Sequence, residues 1–190
     1  MVGILLAAGF SRRFGAADKL VHALGDGTPV ALKAAQNLLQ ALPLTVAAVR
    51  ADNAALSNLL INAGVEVVHC AEHQRDMTDS LAAAIRHAAN FSEADDGFVI
   101  ALGDMPYIRS ATIASVADAL ADGAAIVVPI YRQRRGHPVA FSARFRTELE
   151  NLRGDEGARA IVRRYQSEVC LLECDDAGIL ADIDTPTDVR

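Results

Sequence analysis

Residues 4–20 read ILLAAGFSRRFGAADKL. The apolar run from Val2 to Ala7 breaks at Gly9 into a segment holding Ser11, Arg12, Arg13, Gly15, Asp18 and Lys19. A short, continuous apolar run is the pattern of a strand buried on both faces. A buried strand that empties into a glycine-containing, cationic loop suits a bound polyphosphate: small residues admit the backbone, N–H groups face oxygens, and Arg and Lys neutralise charge. The alternative is an ordinary strand-to-helix connection with solvated charges. Two better-known phosphate loops are absent. Ala16 follows Gly15, so GxxxxGK[ST] fails, and GxGxxG has no match, which leaves a classical dinucleotide site without its fingerprint.

The segments that follow keep a regular rhythm. A helix opens after Thr28 as N-cap and Pro29 and runs to Leu42, with Val30, Ala31, Ala34, Ala35, Leu38 and Leu39 on one stripe. Strands are expected at Leu44–Val49, Val65–Cys70, Phe98–Leu102 and Ala124–Ile130. Helices are expected at Asp52–Ala63, Ser80–Ala89 and Ala111–Leu120. Alternation of this kind predicts a three-layer α/β/α fold with a mostly parallel central sheet, Rossmann-like, in one domain spanning 1–190. The last third departs from it: a basic loop RQRRGH (Arg132–His137), a short strand Pro138–Phe141, helical patches at Ala143–Leu152 and Glu156–Tyr165, and a strand Val169–Leu172.

Composition removes several classes. The 190 residues are 52% hydrophobic and 22% charged, which is globular. A net charge of −6 argues against a general nucleic-acid binder. Three cysteines without a CxxC pair argue against a disulfide framework or a zinc site. No apolar stretch reaches the roughly 18 residues of a membrane span, and the N-terminus lacks the basic region of a signal peptide. The expectation is a cytoplasmic protein with neither nucleic-acid nor membrane partners.

Three acidic positions complement the first loop. Asp104 ends the apolar run FVIALGD, and ligands of open α/β sheets bind beyond the carboxyl ends of strands. A carboxylate there suits a hard cation such as Mg²⁺, which takes one or two carboxylates, phosphate oxygens and waters. Asp182 and Asp184, in ADIDTPTD, alternate onto one side of a short strand, and either suits a second metal ligand. Asp188 suits a helix start. Arg132, Arg134 and Arg135 are candidates for an anionic second substrate. His137 lies between Gly136 and Pro138, where backbone groups can read a ligand. His69 and His73 leave a strand rather than share a helix face. A serine-hydrolase elbow is missing.

Six segments in order resemble one family. LLAAGFSRRFGAADKL, DMTDSLAAAI, LGDMP, GHPVAF, GDEGARAIV and DIDTPTDV are similar to the motifs of the MobA-like nucleotidyltransferases of molybdenum cofactor maturation, and most similar to its molybdenum cofactor (molybdopterin) cytidylyltransferases. The resemblance implies the nucleotide-diphospho-sugar transferase fold. It also implies Mg²⁺-dependent transfer of CMP from CTP to the terminal phosphate of molybdopterin, with release of pyrophosphate. The nucleotide would contact Leu6, Ala7, Ala8, Gly9, Ser11, Arg13, Lys19, Ser80 and Asp104, with Arg13, Lys19 and Asp104 catalytic. Asp104 and Asp184 would hold the metal. Arg135, Gly136, His137, Pro138 and Asp155 would face the pterin. Ala8 in LAAG resembles the cytidylyl form, whereas guanylyl relatives resemble LAGG. Asp76, Asp79 and one extra residue between Gly15 and Lys19 depart from the cytidylyl pattern. The downstream partner implied is a molybdoenzyme of the xanthine dehydrogenase type or its chaperone. GTP or a sugar-phosphate acceptor within the same reaction, and a non-catalytic nucleotide or pterin carrier, are the alternatives.

Overall fold

The computed structural model describes residues 1–9, 14, 18–70, 76–154 and 156–189. In chain order the elements are β1 (Val2–Ala7), α1 (Val30–Ala41), β2 (Thr45–Arg50), α2 (Ala54–Asn62), β3 (Glu66–Cys70), α3 (Met77–Ala88) and β4 (Phe98–Leu102). Then come α4 (Ser110–Ala121), β5 (Ile126–Tyr131), β6 (Arg134–Arg135), β7 (Val139–Phe141), α5 (Arg146–Glu150), α6 (Arg159–Arg164) and β8 (Val169–Glu173). The sheet runs β3-β2-β1-β4-β7-β5-β6, and β8 pairs with β5. The first four strands of that order are mutually parallel, as are β5 and β8. β7 is antiparallel to both β4 and β5.

The two-residue period of the strands builds the three layers. Leu5, Ala7, Ala47, Val49, Val99, Ala101 and Val127 face a core shared with α1, α2 and α4. Val2, Ile4, Val46, Ala48, Phe98, Ile100 and Val128 face the opposite core, with Leu81 and Ile85 of α3, Leu149 of α5 and Ile161 of α6. Packing is close: a Cβ on Gly3 would lie 2.8 Å from Thr45 Oγ1 and 3.0 Å from Leu38 Cγ, so α1 rests on β1 where glycine makes room. Truncating Leu38, fully buried, falls in the class that costs about 2–5 kcal/mol.

Three local features differ from the sequence reading. Pro29, not Thr28, occupies the N-cap of α1; Thr28 belongs to the preceding turn, where its N–H donates to Asp26 Oδ1 at 2.9 Å. α3 begins at Met77 rather than Ser80, with Asp76 at its N-cap. The basic loop folds as a hairpin, in which Arg132 and Gln133 both take positive φ (47° and 64°) and Arg134–Arg135 return against Ile130 and Tyr131. No helix among the described residues is long and apolar enough to cross a membrane.

The chain reverses direction across the sheet after β3. β2 and β3 are laid down on one side of β1, and β4 returns to its other side. A crevice at such a reversal is where open α/β sheets hold ligands. The carboxyl ends of β1 and β4 therefore meet there, followed by Gly9 and Asp104.

Candidate functional site

Gly103 sets the approach of the two strand ends. Its N–H donates to the Leu6 carbonyl at 2.9 Å, and a Cβ there would lie 3.1 Å from that carbonyl oxygen. Glycine lets the backbone pass so close, and Asp104 emerges beside the end of β1.

Lys19 reaches the same point from the other side. It opens a short 3-10 turn, Lys19–Val21, capped by Asp18, whose carboxylate accepts the Leu20 N–H at 3.0 Å. Asn53, at the start of α2, donates to the second Asp18 oxygen at 2.6 Å, so the turn is tied to a helix. The ammonium lies 2.7 Å from Asp104 Oδ2 and 3.2 Å from Asp184 Oδ1. Burial alone would lower the Lys19 pKa; hydrogen bonds and charge from Asp104 and then Asp184 outweigh it, and the value rises above 10.5. An ammonium has three N–H donors. Two serve these carboxylates, which leaves one for an incoming anion.

Asp184 is placed by backbone. The Ile183 N–H donates to the Asp104 carbonyl at 2.9 Å, and the buried Ile183 side chain packs with Phe14, Leu24 and Val30. The neighbouring peptide is held by Asp188, whose Oδ2 accepts from the backbone N–H groups of Asp184 (3.1 Å) and Thr185 (2.7 Å). Thr185 and Asp188 thus form the capping box of a 3-10 turn, in keeping with the helix start read at Asp188. The segment 181–184 is not a strand, so the alternation argument for Asp182 and Asp184 does not describe it. Asp184 sits on Lys19, whereas Asp182 lines the adjoining cleft.

The residues fit a hard divalent cation. Asp104 Oδ1 is buried with no hydrogen-bond partner among the described residues. The other Asp104 oxygen and Asp184 already converge on one positive charge. Two carboxylates, with no nitrogen or sulfur ligand beside them among the described residues, are a Mg²⁺-like set.

A cleft of about 620 Å³ adjoins Asp104. Its walls are apolar (Leu102, Met105, Val128, Val139), and Arg134, Arg135, Gly136 and His137 line it from the hairpin side. The His137 N–H donates to the Ile179 carbonyl at 3.0 Å, and a Cβ on Gly136 would overlap Ile179, so the hairpin lies flush on residues 177–180. Burial pushes the His137 pKa down and the Arg159 charge adds to that, while Asp104, Asp182 and a hydrogen bond to the Ile100 backbone pull upward more weakly. The imidazole is neutral near pH 7. Below 6.5 the unfolded chain takes a proton that the native state refuses, so stability falls as pH drops through that window. His137→Gln is expected to flatten this acid-side decline in melting temperature; an unchanged slope removes His137 as its source.

Other expected positions are placed as follows. Leu6 and Ala8 are half-buried, Ala7 is buried and Gly9 exposed, and the Gly9 carbonyl accepts from Arg50 at 3.2 Å. Ser80 is buried inside α3, its hydroxyl donating to the Asp76 carbonyl at 3.3 Å. Pro138 is buried, after a cis peptide. Ser11, Arg13, Gly15, His73 and Asp155 lie outside the described residues. His69 is bound to Ser57 at 3.1 Å.

Two contributors were not singled out in the sequence. Asp176, 3% exposed, accepts from the Arg109 N–H (2.9 Å), the Thr112 hydroxyl (2.7 Å) and the Gly178 N–H (2.9 Å), which fixes the 177–180 turn to the start of α4. Arg159, on α6, lines the same cleft as the hairpin.

Residues 3–169 match the family model for the MobA-like NTP transferase domain; Asp176, Asp182 and Asp184 lie beyond that segment. The chain is 29% identical over 200 residues to the purine catabolism protein PucB of Bacillus subtilis, covering 98% of this chain and 92% of that protein. The crystal structure of Rv0371c from Mycobacterium tuberculosis H37Rv superposes with a TM-score of 0.84 at 28% identity, covering 99% of this chain and 95% of that one. A complex of Rv0371c with manganese superposes with a TM-score of 0.78 at 28% identity, over 98% and 94% of the two chains.

Proposed function

The chain belongs to the MobA-like NTP transferase family, with a nucleotidyltransferase fold, and from that premise we propose that it moves CMP from CTP to the terminal phosphate of molybdopterin. One observation carries the reading: Lys19 bridges Asp104 and Asp184 at the joined ends of β1 and β4, next to an apolar, cation-rimmed cleft. We read residues 1–190 as one catalytic domain acting in the cytoplasm.

An oxygen of the acceptor's terminal phosphate attacks the α-phosphorus of CTP in line. A P–O bond forms there, the bond to the bridging oxygen breaks, and pyrophosphate leaves. The attacking phosphate is ionised near neutral pH, so no general base is needed. Positioning and charge neutralisation are the protein's task. Lys19 offers its remaining N–H to the α-phosphate, and Arg13 adds charge on the leaving side. Asp104 and Asp184 would hold Mg²⁺, which supplies Lewis-acid neutralisation of the phosphates. The manganese complex of Rv0371c supports a divalent cation requirement. Leu6 to Gly9, Ser11 and Ser80 serve the nucleotide, with Ala8 favouring cytosine. Arg135 to Pro138 and Asp155 serve the pterin. The purine-catabolism name of PucB supports a recipient of the xanthine dehydrogenase type.

The test is pyrophosphate release across CTP, GTP, ATP and UTP with Mg²⁺ and molybdopterin. CTP is expected to lead by at least about tenfold, a margin worth about 1.4 kcal/mol. Equal or better use of GTP overturns the assignment of base choice to Ala8. Absence of pyrophosphate release with all four nucleotides overturns the reaction.

A further inference from the structure

Two elements far apart in sequence bring guanidinium groups to one cleft. Arg134 and Arg135 arrive on the β5–β6 hairpin and Arg159 on α6. α6 is fixed from beneath by Ile161, 3% exposed in the core against α3. Its preceding loop is tied to α3 by the Thr78 hydroxyl, which donates to the Gly154 carbonyl at 2.5 Å. Arg159 and Arg163, four residues apart, share a helix face, and both border the cleft.

Their charges are not equally available. Arg163 is held by Glu156 through two hydrogen bonds, at 2.8 and 2.5 Å. Arg159 makes no ion pair or side-chain hydrogen bond with any described residue. Its field nevertheless reaches the cleft interior, where it bears on His137. A guanidinium with no partner among the described residues, beside an apolar wall in a chain of net charge −6, is a fork for an oxyanion.

We propose that Arg159 binds the acceptor, gripping an anionic phosphate group of a molecule whose ring system lies along the apolar cleft wall. This rests on the transferase reading for the direction of the reaction, but not on the identity of the pterin. Arg159 thereby sets acceptor affinity, while the nucleotide is held across the crevice by the Lys19 side.

Arg159→Gln, Arg159→Lys and Arg163→Gln separate the possibilities. In steady-state turnover with molybdopterin, R159Q is expected to raise the acceptor KM about ten- to a hundredfold, the range for one charge-assisted pair. Its nucleotide KM should stay within about twofold. R159K should recover part of the loss, since an ammonium restores charge without the fork. R163Q should leave the acceptor KM within about twofold. Equal losses in R159Q and R163Q, or a rise in nucleotide KM instead, overturn the proposal. A parallel measurement uses phenyl phosphate as probe in thermal unfolding: the wild type should be stabilised and R159Q should not. If molybdopterin is not turned over but this difference holds, the pterin reading fails and the Arg159 site stands. If molybdopterin is turned over and R159Q behaves as wild type in both measurements, the reaction stands and the Arg159 site fails.

Discussion

Asp104→Asn is expected to cut turnover about 10³-fold or more and to move the melting temperature by no more than about 3 °C. The two halves of this expectation have separate causes. One Asp104 oxygen is buried without a partner among the described residues, so the wild-type side chain is not optimised for stability. An amide keeps its shape and still offers Lys19 an oxygen, and Lys19 keeps Asp184 at 3.2 Å. Charge is what disappears, and a factor of 10³ is about 4 kcal/mol of transition-state stabilisation, within the several kcal/mol that metal-assisted neutralisation supplies. Manganese titration in the presence of nucleotide should show the same loss as turnover. Retention of more than a tenth of wild-type turnover would falsify the placement of the cation on Asp104. Asp182→Asn and Asp184→Asn extend the test: the second should resemble D104N, the first should not.

Asp176→Ala is expected to destabilise the protein by roughly 3 kcal/mol, because the buried Thr112 hydroxyl and two partly buried N–H groups lose their acceptor at once and an orphaned buried donor costs about 1–3 kcal/mol. For a chain of this length that corresponds to a fall in melting temperature of about 6–12 °C. Activity should fall further than stability alone accounts for when it is assayed well below the new midpoint. The 177–180 turn supports His137 through the Ile179 carbonyl, and the chain runs on from it to Ile183 and Asp184. Asp176→Asn, which keeps one acceptor oxygen, should be intermediate. Wild-type melting of D176A would mean that the three donors find other partners.

The fold was legible because its central strands are buried on both faces. β1, β2 and β4 leave continuous apolar runs that no loop imitates, and the helices between them keep a clear stripe. The antiparallel β7 and the two-residue β6 were harder. Val139–Phe141 is too short to declare its direction, and RQRRGH looks like solvated loop until the hairpin forms. Asp104 stood out as a carboxylate ending an apolar run. Asp182 and Asp184 could not be told apart, because the bond from Ile183 to the Asp104 carbonyl, which turns Asp184 toward Lys19, belongs to irregular backbone with no period. Asp176, in CDDAG, reads as one more acidic turn. Its burial depends on α4, more than fifty residues upstream in the chain and silent in local sequence. Arg159 was hidden in the same way, since pairing of Arg163 with Glu156 becomes visible only with coordinates.

Lys19 and Asp184 are 165 positions apart, and that separation has a consequence during synthesis. At about 5–20 residues per second, Lys19 leaves the ribosome on the order of ten seconds before Asp184 exists. The nascent chain can stack β1, β2 and β4 with their helices, yet it carries an ammonium missing one of its two counter-charges and a cleft without the floor supplied by Ile179. If Lys19 and Asp184 serve the nucleotide as proposed, nucleotide affinity develops late, as the final segment docks, and ligand binding discriminates finished molecules from incomplete ones. A fragment ending before Asp176 retains most of the sheet while lacking the device that the sheet exists to position.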